Sequence, residues 1–209
     1  GSISPADGKS ADIRYHEGDD FEDRVKDTAA RYPDIETINL EGKHLMAGGI
    51  DAHVHFRDPG LTHKADMETE SRAAAAGGVT TVMDMPNTVP ATVSGEALLE
   101  KHRLAEGRTC INIGFHIGAT NSNISEIESI INGKSEVSAE KISGVKVFMG
   151  SSTGNMLVDD NETLDRIFRI QGKPVLVHCE DESLIKAGIK EAQEKYGEDI
   201  PFSEHENIR

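Results

Sequence analysis

Residues 48–60 read GGIDAHVHFRDPG, and this stretch determines how the rest of the chain is interpreted. A short apolar run here ends in ionisable and turn-forming residues. Side chains alternate along a strand, so His53 and His55 are expected on one face, about 7 Å apart along the chain. Two imidazoles at that spacing can share one metal ion. The pattern alone equally fits two half-buried histidines at the end of a strand.

Four further apolar runs follow, and helical patterns lie between them, which indicates a parallel sheet with crossover helices. The predicted strands cover residues 49–56, 80–85, 111–117, 144–149 and 175–178. Apolar spacing predicts helices that include residues 73–76, 127–131, 164–168 and 185–196. A capping box from Ser125 to Glu128 is predicted to start the second of these helices.

Polar and ionisable residues gather where the predicted strands end. They are His53, His55, Asn87, Lys146 and His178. In an α/β barrel, catalytic groups occupy this end of the strands. An open doubly wound sheet also binds ligands there, so the clustering alone does not choose between these two folds.

Three of the polar residues near the strand ends have both a chemical and a structural interpretation. Lys146 lies between Val145 and Val147, and a desolvated lysine has a lowered pKa that permits reaction with carbon dioxide to a carbamate. Its alternative is a salt-bridged or snorkelling lysine. Arg57 offers a planar fork for a carboxylate, or pairs with Asp58 at the surface. Asn87 offers an amide donor and acceptor, or is a turn residue.

The composition excludes several partners. The 209 residues carry 22 Lys and Arg against 37 Asp and Glu, a formal net charge of −15. So acidic a chain repels nucleic acid and anionic membrane surfaces, and no apolar stretch approaches the roughly 20 residues of a membrane span. Cys110 and Cys179 form no CxxC motif, and no leader pattern is visible. We therefore expect a soluble cytoplasmic protein with reduced thiols.

A change in composition near residue 46 predicts two parts. Residues 1–47 form an irregular or β-rich amino-terminal segment, in which residues 7–34 are expected to be irregular or weakly packed and residues 35–40 a short strand that turns at 41–43. Residues 48–209 form the strand-and-helix part.

Five motifs in order resemble dihydroorotases of the cyclic amidohydrolase superfamily: residues 48–60, 73–81, 84–88, 144–154 and 177–181. HxHFRDPG together with MPNT is typical of dihydroorotases, because allantoinases and hydantoinases keep HxH but usually differ at the other two places. The resemblance implies a (β/α)₈ TIM-type barrel, of which this chain holds about the first five βα units. It also implies that residues 1–47 are part of a small β-sandwich domain.

The same resemblance implies the chemistry. Two Zn²⁺ ions with a bridging hydroxide would catalyse the reversible cyclisation of N-carbamoyl-L-aspartate to dihydroorotate in pyrimidine biosynthesis. The implied metal ligands are His53, His55, a carbamate on Lys146, and His178, and the implied carboxylate-binding residues are Arg57 and Asn87. The general-base aspartate and a further zinc-binding histidine are expected beyond Arg209, so the 209-residue chain alone is expected to be inactive.

The implied partners are a small-molecule substrate and, in the intact enzyme, a second copy in a homodimer. Two alternatives stay open. One is a neighbouring ring amidohydrolase such as an allantoinase. The other is a non-catalytic homologue that serves as a binding subunit for a carbamoyltransferase, which is disfavoured because all four metal-ligand positions are retained.

Overall fold

The computed structural model describes residues 2–6, 10–14, 21–31, 41–150 and 156–208. The chain divides into two compact units, Gly1–Met46 and Ala47–Arg209. Within the described ranges, every helix is too short or too polar to cross a membrane.

The first unit contains two antiparallel strands, β1 (Ser2–Ala6) and β2 (Ser10–Arg14), and a helix, α1 (Phe21–Arg31). The prediction that residues 7–34 are irregular is therefore wrong for β2 and α1. The predicted strand at 35–40 lies outside the described residues.

Helix α1 is mostly polar, and its charged residues favour the helix. Acidic Glu22 and Asp23 occupy its first turn and Arg31 its last, an arrangement that complements the helix dipole. Val25 and Thr28, three residues apart, are its half-buried positions. This narrow stripe is too sparse for a periodicity argument to identify.

The second unit is built on five parallel strands: β3 (Gly49–Val54), β4 (Val79–Asp84), β5 (Asn112–Gly118), β6 (Gly144–Phe148) and β7 (Val175–His178). Their order in the sheet is the order in the chain, β3-β4-β5-β6-β7. All five predicted strands are confirmed, with ends that move by at most two residues.

The strand order and the curl of the sheet identify this unit as part of a barrel. A doubly wound sheet reverses its strand order at a switch point, and this sheet does not. The Nε2 atom of His116 on β5 lies 3.0 Å from the Ala52 carbonyl of β3. Strands two places apart in a flat sheet are separated by about 10 Å, so the sheet curls towards the face that carries His116. The unit is therefore five βα units of a TIM-type barrel.

Six α-helices accompany the strands within the described ranges: α2 (Met67–Ala76), α3 (Gly95–Ala105), α4 (Ile124–Ile131), α5 (Asn161–Phe168), α6 (Glu182–Tyr196) and α7 (His205–Ile208). The predicted helices correspond to α2, α4, α5 and α6, whereas the sequence pattern did not predict α3 or the short α7. The capping box is wrong, because α4 begins at Ile124 and Asn123 occupies the N-cap position.

The hydrophobic core lies between the sheet and its helices. Its fully buried members come from the sheet and from the inner faces of α3, α4 and α5: Val82, Leu98, Phe115, Ile117, Ile127, Ile130, Val145, Val147 and Ile167. Packing on both faces of the central strands fixes where each strand ends. The carboxyl ends of β3 to β7 and the loops that follow them form one edge, here called the carboxyl rim.

Candidate functional site

The two histidines of the HxH motif lie together at the carboxyl end of β3. Their ring centroids are 5.4 Å apart, as the alternation of a strand predicts. The Nδ1 atom of His55 lies 2.8 Å from Oδ1 of Asn87. An amide oxygen can only accept, so Nδ1 carries the proton and the lone pair of Nε2 is available to a ligand.

The surroundings of His55 favour the neutral ring. Burial lowers the pKa of His55. Its hydrogen bond with Asn87 opposes that effect, while the positive charges of Arg57 and His53 add to it. A neutral imidazole is the form that binds a metal ion.

Arg57 occupies a left-handed backbone conformation, with φ at 62°. Asp58 does not pair with it, because Asp58 Oδ2 accepts from Nη2 of Arg108 at 2.6 Å. The surface-pair alternative for Arg57 is therefore wrong. Among the described residues the guanidinium of Arg57 has no hydrogen-bond partner. Gly60, three residues later, packs so closely on the Val89 carbonyl that a Cβ there would overlap it.

A buried ion pair lies beneath this part of the carboxyl rim, and the sequence analysis missed it. Asp84 at the end of β4 and Lys101 on α3 have side chains 0% and 1% exposed, with Oδ2 and Nζ 2.7 Å apart. Burial lowers the pKa of Lys101, and the Asp84 carboxylate opposes that shift. The sequence signal for this pair is a lysine placed among the apolar positions of an amphipathic helix.

Lys146 is in the middle of β6, where every residue is buried. Its side chain runs past Phe148, with Nζ 4.7 Å from the ring centroid. Burial lowers the pKa of Lys146, which is the direction that carbamate formation requires. No described residue forms a hydrogen bond or an ion pair with its amine.

His178 ends β7, beside the end of β6. Its register partner is Phe148, and the two ring centroids are 6.1 Å apart. Nε2 of His178 lies 3.0 Å from Oε2 of Glu180, a partner that the sequence analysis did not name. A carboxylate on a histidine nitrogen orients the ring.

The predicted site residues therefore fall into two groups. His53, His55 and Asn87 lie at the carboxyl ends of β3 and β4, whereas Lys146 lies within β6 and His178 ends the neighbouring β7. Across the described ranges, His, Cys, Asp and Glu side chains form no cluster of three or more arranged to hold a metal ion. The donor set nevertheless suits zinc, because it combines neutral imidazoles with a buried lysine that has no anionic partner among the described residues.

Comparison with known proteins gives the family. The model of the Amidohydrolase family matches residues 44–208. A dihydroorotase of Methanothermobacter thermautotrophicus is 36% identical over 186 residues, which is 88% of this chain and 40% of that protein. A dihydroorotase of Methanosphaera stadtmanae is 38% identical over 162 residues, which is 75% of this chain and 34% of that protein.

A solved structure agrees with the fold. The L-hydantoinase of Arthrobacter aurescens superposes with a TM-score of 0.72 at 30% sequence identity, over 85% of this chain and 39% of that one. The chain thus spans between a third and two fifths of the length of these relatives. The matched family model covers all five strands of the curled sheet, and the chain belongs to the Amidohydrolase family.

Proposed function

We propose that this chain forms the β3 to β7 part of a dihydroorotase active site, which interconverts N-carbamoyl-L-aspartate and dihydroorotate. One observation carries the proposal. The 2.8 Å contact between His55 and Asn87 joins the HxHFRDPG motif to the MPNT motif at one point of the carboxyl rim. A metal ligand and a substrate-binding amide are thereby adjacent.

In this proposal one set of residues binds the metal ions and another set binds the substrate. The proposed zinc ligands are His53, His55, carbamylated Lys146 and His178. Two bound zinc ions would activate water and polarise the ring amide carbonyl. Arg57 and the Asn87 amide hold the substrate carboxylate, since a planar guanidinium binds a carboxylate with two parallel hydrogen bonds. The proposed carbamate forms when the neutral Lys146 amine adds to carbon dioxide and releases one proton.

The reaction is tested by measuring substrate turnover with the complete protein that the gene encodes. We expect hydrolysis of dihydroorotate and none of allantoin or hydantoin, because only dihydroorotate carries the ring carboxylate that Arg57 would bind. The structural likeness to an L-hydantoinase makes hydantoin the sharpest comparison. Turnover of hydantoin or allantoin without turnover of dihydroorotate would establish the neighbouring ring amidohydrolase instead.

Metal content tests the ligand assignment. We expect His178→Ala to lower the zinc stoichiometry measured by elemental analysis. His205→Ala is the matched control, because His205 is an exposed histidine on α7, outside the carboxyl rim. Equal zinc content in the two variants would contradict the role of His178. The carbamate is tested separately, by a ¹³C signal on Lys146 after incubation with labelled bicarbonate.

A further inference from the structure

The ion pair of Asp84 and Lys101 is more than a contact between two elements. Oδ1 of Asp84 accepts from the backbone N–H of Phe56 at 2.8 Å. Nζ of Lys101 donates to the carbonyl of Met85 at 2.8 Å. The pair is therefore hydrogen-bonded to two backbone segments, one just after β3 and the other directly after β4.

These two segments carry the site residues of the first group. Phe56 is the residue after His55, and Met85 is two residues before Asn87. The segments are also joined above the pair, because Met85 N donates to the Val54 carbonyl at 2.9 Å. The side-chain contact between His55 and Asn87 is thus supported by two backbone segments that the buried pair holds together.

Stability alone does not account for charges in this position. Removing two charges from water costs several kcal/mol each, and well-packed apolar side chains of similar volume often serve a core as well or better. Leu98 and Ala105 are the buried neighbours of Lys101 on α3, so an apolar residue would suit that face. The pair is explained if it supplies directed contacts to Phe56 and Met85 that an apolar side chain cannot supply.

We infer that Asp84 and Lys101 are positioning residues, which hold His55 and Asn87 at the separation needed to place a metal ion beside the substrate carboxylate. This inference rests on the proposed function, because it takes His55 as a metal ligand. The two residues touch neither metal nor substrate and act through the backbone of Phe56 and Met85.

The test is the double variant Asp84→Asn/Lys101→Met. Asparagine keeps the shape of aspartate but offers Phe56 N–H only a neutral, weaker acceptor, methionine keeps the apolar volume of the lysine stem, and no unpaired charge is left buried. We expect the variant to fold, to bind zinc with an affinity lower by about tenfold or more, and to exchange the Phe56 and Thr88 amide hydrogens faster in the zinc-free state. Isothermal titration with zinc and NMR-detected hydrogen exchange measure the two effects.

Two controls separate positioning from loosened packing. Glu128→Gln/Arg166→Met makes the same chemical change in a 2.6 Å ion pair between α4 and α5, and we expect zinc affinity to stay unchanged. Leu98→Ala loosens α3 without altering either charged residue. An equal loss of zinc affinity in Leu98→Ala would assign the effect to packing and overturn the inference.

The outcomes also separate this inference from the proposed function. If the parent chain binds zinc and the double variant matches it in affinity and exchange, positioning is refuted while the site stands. If the complete protein that the gene encodes binds no zinc, the proposed function fails, and unchanged exchange at Phe56 in the double variant would refute the positioning role as well. Should the double variant not fold, Asp84→Asn/Lys101→Leu, which also leaves no buried charge, is measured with the same two readouts.

Discussion

At the scale of single residues, the backbone of Arg57 is the clearest departure from what stability would select. A non-glycine residue in the left-handed region costs on the order of 1 kcal/mol relative to glycine. The Arg57 carbonyl accepts from Leu61 N at 3.0 Å, so the surrounding turn fixes this conformation. Strain that persists at a candidate site indicates a function for the side chain.

Replacing Arg57 separates those two contributions. We expect Arg57→Gly to raise the free energy of unfolding by up to about 1 kcal/mol in urea denaturation, because glycine accepts the positive φ. The same change should weaken N-carbamoyl-L-aspartate binding, measured by calorimetry. Arg57→Lys, which keeps the charge but not the fork, should leave stability unchanged and still bind more weakly. Undiminished binding by Arg57→Gly would remove Arg57 from the substrate site.

A buried histidine, His116, and a half-buried one, His102, lie outside the proposed ligand set and predict how stability depends on pH. Burial lowers the pKa of His116 and of His102. His116 donates from Nε2 to the Ala52 carbonyl, and His102 lies 2.9 Å from the Lys141 carbonyl with its ring edge-on to Phe115. The folded state therefore binds fewer protons than the unfolded state near the ordinary histidine pKa of about 6.5.

The free energy of unfolding should accordingly fall as the pH is lowered below about 6.5, because protonation then favours the unfolded chain. Carboxylates ordinarily titrate at lower pH, so histidines are the side chains expected to titrate between about pH 5.5 and 7.5. Urea denaturation at pH 7.5, 6.5 and 5.5 with a chelator present measures the slope. His102→Gln and His116→Gln should each flatten it, and an unchanged slope in both would show that other groups cause the acid sensitivity.

At the scale of elements, one asparagine ties together two loops of the carboxyl rim. Nδ2 of Asn123 donates to the carbonyls of Val93 at 2.7 Å and Gly118 at 2.8 Å, and Oδ1 accepts from Thr120 N at 2.7 Å. These contacts join the loop after β5 to the segment before α3. Ser125, from the predicted capping box, instead accepts from Nη2 of Arg166 at 3.0 Å.

Replacing Asn123 should therefore cost more than losing a helix cap. We expect Asn123→Ala to lower the free energy of unfolding by about 2 kcal/mol or more, because three hydrogen bonds are lost and two carbonyls lose their donor. Asn123→Asp should be at least as harmful, since a carboxylate cannot donate to either carbonyl. Ser125→Ala should change stability by less than about 0.5 kcal/mol. The reverse ranking in urea denaturation would restore the capping-box interpretation.

The same elements show what the sequence could predict. Short apolar runs identified the strands, and the central strand β6 is buried along its whole length, as is typical of a parallel strand packed on both faces. Helix α3 was missed because its buried positions include Gly95 and Lys101, which no hydrophobic pattern counts. The ion pair of Lys101 with Asp84 was missed for the same reason. It depends on a register between α3 and β4 that only the folded chain provides.

At the scale of the whole molecule, the barrel unit of the described chain has two sheet edges, β3 and β7. Five of the six residues of β3 are exposed, and Ile50 on that strand is 69% exposed. Val177 on β7 is also among the exposed large apolar residues. An open edge with an apolar side chain is a template for pairing with another chain.

We therefore expect the isolated 209-residue chain to self-associate through these edges, with a weight-average mass above that of the monomer in sedimentation equilibrium at micromolar concentration. Ile50→Lys should shift the mass towards the monomer, because a charged residue on an edge strand opposes pairing. Leu99→Lys is the matched control, since Leu99 is an exposed leucine on α3, away from either edge. Equal dissociation by both variants would point to a general effect of added positive charge on an acidic chain. Dissociation by Ile50→Lys alone would locate the contact on β3, the strand that carries His53.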